Sequence, residues 1–300
     1  MRALLLIACL TITAATPASA QSVEQLRNEY GLRVRAADSP DATSQDLVLA
    51  AQAARFFRKF DESRGYLDAA RAMAEDEADL NAILTESLWY NLATGGGVDG
   101  TKRIFRAALE DRRESFSPAV IAGWIYFWPE LLVGGEYDAL IQRLSADAED
   151  AGYRCDCYAT KAWMHRVAGR PDEARVYWEL LNEAEREIPR LSSSFDEADW
   201  RGRRARNLAR AGHADEARAE LAAAEAVDLS ALESVSIRRR RAQTYAELGD
   251  VDKAVEDLEF LLTIPSLVTY YTLRDRLTWA PIRDLPAFQA LLARHLPEGG

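Results

Sequence analysis

The 300-residue sequence predicts an all-α protein built from stacked helical hairpins. Three observations carry this expectation. A spaced skeleton of small, aromatic and glycine residues recurs through the second half of the chain. Runs of alternating apolar and polar residues, the mark of half-buried strands, are missing, while the helix formers Ala, Leu, Glu and Arg dominate. The length also exceeds what one compact core usually holds, so the chain is expected to be two domains or a repeat array.

The first 20 residues read as a leader. Arg2 supplies a positive start, Ala3 to Ile12 form an apolar run, and Ala18-Ser19-Ala20 is the small-x-small pattern that a signal peptidase accepts. Cleavage is expected after Ala20, leaving an exported, periplasmic or secreted protein. Leu6-Ile7-Ala8-Cys9 has the look of a lipoprotein box, but only a stub of apolar run precedes it, which disfavours acylation at Cys9. The apolar run is too short for a membrane anchor, and "AVIAGWIYFW" further on stops at Pro129 and Glu130, so no membrane span is expected.

Net charge is −11, and since Arg2 is the leader's one charged residue, the mature chain carries −12. Nucleic acid is an unsuitable partner for such an acidic surface, because phosphate neutralisation needs a basic footprint.

The clearest copy of the skeleton is Ala242, Tyr245, Gly249-Asp250, Ala254, Leu258, Leu261, then Pro265. Small residues at Ala242 and Ala254 let two antiparallel helices approach, and Gly249 ends the first of them. The skeleton appears again at Ala205, Leu208, Gly212, Ala217, Leu221 and Ala224, and before that at Ala162, His165, Gly169, Ala174, Trp178 and Leu181. Gly169, Gly212 and Gly249 stand 43 and 37 residues apart. This pattern resembles the tetratricopeptide repeat (TPR), whose signature places small and aromatic residues at such offsets. The resemblance implies a right-handed α-α superhelix of TPR-like helical hairpins.

Upstream the match fades. "VGGEYDALIQRLSA" keeps Gly135, Leu140 and Leu144, and "AARFFRKFDESRGYLDAARAMA" keeps Ala53, Gly65, Ala69 and Ala72. The segment around "WYNLATGGGVDGTKRIFRAAL" is expected to be helical on both sides of a glycine loop. The expected organisation is a leader at 1–20, divergent hairpins at 21–150, TPR repeats at 151–265 and a closing segment at 266–300. That last segment resembles the closing element of tetratricopeptide arrays in multidomain bacterial proteins. Leu273, Arg274, Trp279, Pro281, Arg283, Pro286, Phe288, Gln289, Leu291 and Leu292 fall in register with it, while Arg276, Leu277 and Ala280 depart from it. The tail would cover the apolar end of the last hairpin. At "SSSFDEADW", Ser194 three residues before Glu197 is read as a capping box.

No motif for catalysis stands out, and neither an enzymatic activity nor a cofactor or metal is expected. "ATGGGVDGTK" fails as a phosphate loop: Gly100 is followed by Thr101-Lys102, and the loop lies between helices rather than after a strand. Cys155 and Cys157 could be packed thiols, a tight disulfide, or a redox or metal pair, though His165, His213 and His295 are the only histidines. In "GWIYFWPELL", Trp124, Phe127 and Leu131 share a helical face, with core packing or partner binding as alternatives.

The candidate binding face comes from phasing the repeats on their turn glycines. In the tetratricopeptide resemblance one face of each first helix lines a concave groove for partners. That face would carry Trp163 and Arg166, then Arg203, Arg206 and Arg210, then Arg239, Arg240 and Gln243. Arginines spaced three and four apart form a stripe, and guanidinium forks hold carboxylates in pairs, which suits an acidic peptide or protein segment. Alternatively they bridge to acids on neighbouring helices. The expected role is an envelope adaptor or scaffold, with a thiol-redox or accessory enzyme role, or self-assembly, as the rivals.

Overall fold

A computed structural model of the chain describes residues 20–111, 125, 128–135, 151–188, 193–229 and 231–297. These residues form thirteen α-helices and no strand, so the protein is all-α. Residues 1–19 of the expected leader lie outside them, as do Trp124, Tyr126 and Phe127 and the expected helix with Leu140 and Leu144. Among the described residues no helix is long and apolar enough to cross a membrane.

Helix α1 (Ala20–Ala37) packs on the first of five hairpins. These are α2 (Ser44–Phe56) with α3 (Phe60–Met73), α4 (Glu77–Ala93) with α5 (Gly97–Asp111), α6 (Ala151–Val167) with α7 (Pro171–Glu185), α8 (Ser194–Ala211) with α9 (Ala214–Glu225), and α10 (Ala231–Leu248) with α11 (Val251–Thr263). The tail adds α12 (Tyr270–Asp275), a single 3₁₀ turn at Leu277–Trp279 and α13 (Pro286–Arg294).

One turn design closes all five hairpins. A residue of positive φ follows the first helix: Arg58 (60°), Gly95 (87°), Gly169 (73°), Gly212 (95°) and Gly249 (75°). The next amide then donates back five residues, Lys59 to Ala54, Gly96 to Asn91, Arg170 to His165, His213 to Leu208 and Asp250 to Tyr245, each at 2.9 Å. This is the bond that satisfies a stranded helix-end carbonyl, and the left-handed step it requires favours glycine. The carbonyl of that same residue starts the second helix by accepting from four residues on, as Asp250 does from Ala254 at 3.1 Å. Successive turns are 37, 74, 43 and 37 residues apart, the second interval being twice the first.

Two details differ from the sequence reading. Gly65 sits inside α3, and the turn of that hairpin is at Arg58 instead. The cap of α8 is Ser193, whose hydroxyl accepts from the Asp196 amide at 3.0 Å, one residue earlier than the Ser194–Glu197 register. Ser193 has the extended backbone a cap needs, whereas Ser194 is already helical.

Two large apolar clusters hold the array. One joins Leu88, Phe105, Ile125, Trp128 and Leu131 to Trp163, Trp178 and Leu181. Ile125, Trp128 and Leu131 are thus core residues of the aromatic segment. The other unites α10 and α11 with the tail, where Trp279 and Phe288 lie with centroids 6.4 Å apart among Leu258, Leu261 and Leu291. The tail also reaches the first half of the chain: the Leu277 amide donates to Glu130 at 2.7 Å.

Candidate functional site

The first helices of the last two hairpins lie side by side and pair residue for residue. Arg206 Nη1 donates to Gln243 Oε1 at 2.8 Å, and Arg210 Nε donates to Glu247 Oε1 at 2.8 Å, both across 37 positions, the interval between the two turns. Arg203 and Arg240, also 37 apart, share one carboxylate: Asp199 lies 3.3 Å from Arg203 and 2.5 Å from Arg240. Gly202 makes the last contact accessible, since a Cβ there would stand 3.2 Å from the Arg240 side-chain stem. Positions 37 residues apart on these two helices therefore meet.

One end of this face is closed. Arg166 holds both oxygens of Glu247, at 3.1 and 2.9 Å, opposite Arg210. Trp163 is 2% exposed, edge-on to Trp178 at 5.7 Å, with Arg210 over its ring at 4.6 Å. Trp163 is therefore a wall of the core and not part of an open surface. Burial works to raise the Glu247 carboxyl, but Arg210 and Arg166 outweigh it and hold the group below the usual range. Asp199 behaves alike: Arg240 and Arg203 overcome burial and keep it low. Glu185 shows the reverse, because burial outweighs Arg203 and the Asn207 hydrogen bond at 3.0 Å and pushes its carboxyl up.

The other end opens onto residues that sequence spacing does not reveal. Trp89, on α4, has three guanidinium groups around its ring: Arg55 at 5.6 Å, Arg239 at 5.9 Å and Arg276 at 4.9 Å. Such placement over an indole face is a favourable cation–π geometry. Arg55 is locked in a two-bond pair with buried Glu86. Arg276 donates to buried Glu130 at 3.0 Å. These residues come from α2, α4, α10, the Pro129–Leu132 turn and the tail. Glu247 has a signal in the sequence, being one repeat interval beyond Arg210; Trp89, Glu130 and Arg276 have none.

Cys155 and Cys157 are buried on α6 and not joined to each other, so the disulfide alternative is not the arrangement seen. Two residues apart on one helix, they face different directions. Burial, aided by Glu185 and Asp156, pushes Cys155 up to about 12, and burial raises Cys157 as well. Both shifts suppress thiolate chemistry. Among the described residues no group of His, Cys, Asp and Glu is arranged to hold a metal ion.

Compared with known proteins, the chain matches no family model, no curated protein and no solved structure, so the functional reading stands on this geometry alone.

Proposed function

We propose that this chain is an exported binding protein of the tetratricopeptide type, an envelope adaptor or scaffold that receives an acidic protein segment on the face formed by its first helices. In this reading the hairpins stack into a right-handed superhelix and the leader directs export. The observation that carries it is the ladder on α8 and α10, where Arg203 and Arg206 meet Arg240 and Gln243 in matching register beyond the end that Arg210 and Glu247 close. A periodic array of guanidinium groups suits an extended ligand whose carboxylates recur along its length. Gln243 is the rung that an incoming carboxylate would replace as the acceptor for Arg206, a charged acceptor being stronger than an amide oxygen.

The test compares a fluorescein-labelled glutamate-rich peptide of about ten residues with a lysine-rich peptide of the same length by anisotropy. The acidic peptide is expected to bind, to weaken as salt rises, and to weaken about tenfold or more in Arg206→Glu. Equal binding of both peptides, or an Arg206→Glu protein that binds like wild type, would overturn the reading.

A further inference from the structure

Arg239 differs from every other arginine of the inner face that has been described. Among the described residues it has neither an ion-pair nor a hydrogen-bond partner, and its Nε is buried and unsatisfied. Its guanidinium lies 5.9 Å from the centre of the Trp89 ring. The residue is half-buried and keeps part of its surface accessible. Its charged neighbours compound the imbalance: Arg240, Arg276 and Arg206 all act on it with the same sign. The opposing charge is Asp199, already shared by Arg240 and Arg203. Burial, followed by those arginines, holds the Arg239 guanidinium down to about 9. A half-enclosed guanidinium with no ion pair of its own is a place where an incoming anion meets an unsatisfied donor.

The chemistry of the missing group is set by the two seats beside it. Trp89 has three guanidinium neighbours, and two of them hold a carboxylate of this chain: Glu86 on Arg55 and Glu130 on Arg276. We propose that Arg239 is the third seat of this set and takes the carboxylate of a ligand, with Trp89 beside it. The proposal deepens the acidic-segment reading by naming where such a segment, through a side chain or its C-terminus, is anchored. A free organic acid carries the same chemistry.

The experiment uses titration calorimetry and thermal unfolding on the purified protein, with glutarate, the glutamate-rich peptide in free-acid and amidated forms, and inorganic phosphate as probes. Wild type, Arg239→Gln, Arg239→Lys and the outer-surface change Arg218→Gln are compared. Glutarate or the peptide is expected to bind wild type and raise its Tm, as any ligand of the folded state does. Arg239→Gln should lose about tenfold or more of that affinity, Arg239→Lys less, because a lysine keeps the charge without the fork, and Arg218→Gln none. Without ligand, Arg239→Gln should fold and melt no lower than wild type, since it removes an uncompensated charge. Undiminished carboxylate binding in folded Arg239→Gln overturns the seat, as does phosphate binding as tightly as glutarate. Peptide binding that ignores position 239 overturns the seat and leaves the adaptor reading standing. Glutarate binding through Arg239 without any peptide binding does the opposite. A loss of binding on amidation alone assigns the seat to a chain terminus.

Discussion

Arg58 and Leu262, 204 residues apart, join the first hairpin to the last: Arg58 Nη2 donates to the Leu262 carbonyl at 2.7 Å. The same nitrogen lies 3.4 Å from the carbonyls of Ile264 and Val268. The Leu262 and Ile264 carbonyls sit where α11 runs out of its own donors, so a turn residue of one hairpin caps the helix of another. Phe56 packs against the same C-terminal cluster, and α1 touches α10. The first and last hairpins are thus in direct contact.

Arg58 combines one cost with one gain, and substitutions separate them. Its φ of 60° is a left-handed step that costs a non-glycine residue about 1–2 kcal/mol. Arg58→Ala keeps that strain and removes the cap; Arg58→Gly removes both. Urea unfolding should therefore rank wild type above Arg58→Gly, and Arg58→Gly above Arg58→Ala by about 1 kcal/mol. Hydrogen exchange should quicken at the end of α11 in both variants. A glycine variant as protected as wild type would mean that the contact across the chain contributes nothing.

The parts of this architecture that were legible in the sequence are those enforced locally. Gly169, Gly212 and Gly249 announce their turns because the left-handed step selects glycine within one helix end. Arg58 hides an equivalent turn because a distant carbonyl set, invisible to local spacing, keeps arginine there. The three-and-four spacing of Arg203, Arg206 and Arg210 marks one face, but which acid answers each depends on how α8 lies against α10. The guanidinium groups around Trp89 come from both ends of the chain, so no local pattern could have assembled them.

Two glutamates beside the arginine ladder should respond to pH in opposite ways. Glu247 has a lowered folded pKa, so it contributes stability above its unfolded value near 4.5 and loses it as pH falls through the folded value. Glu247→Gln should therefore destabilise the protein at pH 7 by about 3–5 kcal/mol, with the gap to wild type narrowing in acid. Glu185 has a raised folded pKa, so its penalty is absent below 4.5 and grows as pH rises through the folded value. Glu185→Gln should be as stable as wild type or more so at pH 7, and no different at pH 4. Thermal melts from pH 4 to 8 give both curves, and a matched response of the two variants would contradict the opposed environments.

The cysteines allow a kinetic check of the α6 packing. A thiol at about 12 carries about a thousandfold less thiolate at pH 8 than one at its ordinary value near 9, and only the thiolate alkylates. With the other two cysteines replaced by alanine, native Cys155 should react with iodoacetamide about a thousandfold or more slower than in urea. Linkage fixes the alkaline behaviour. Cys155 is an acid whose folded pKa lies above its unfolded one, so the unfolded chain gives up its proton first and stability falls as pH climbs from 9 towards 12. Cys155→Ala should remove that part of the alkaline loss while exposing a small cavity cost at pH 7. Rapid native labelling of Cys155 would instead mark a reactive thiol and restore the redox alternative for this helix.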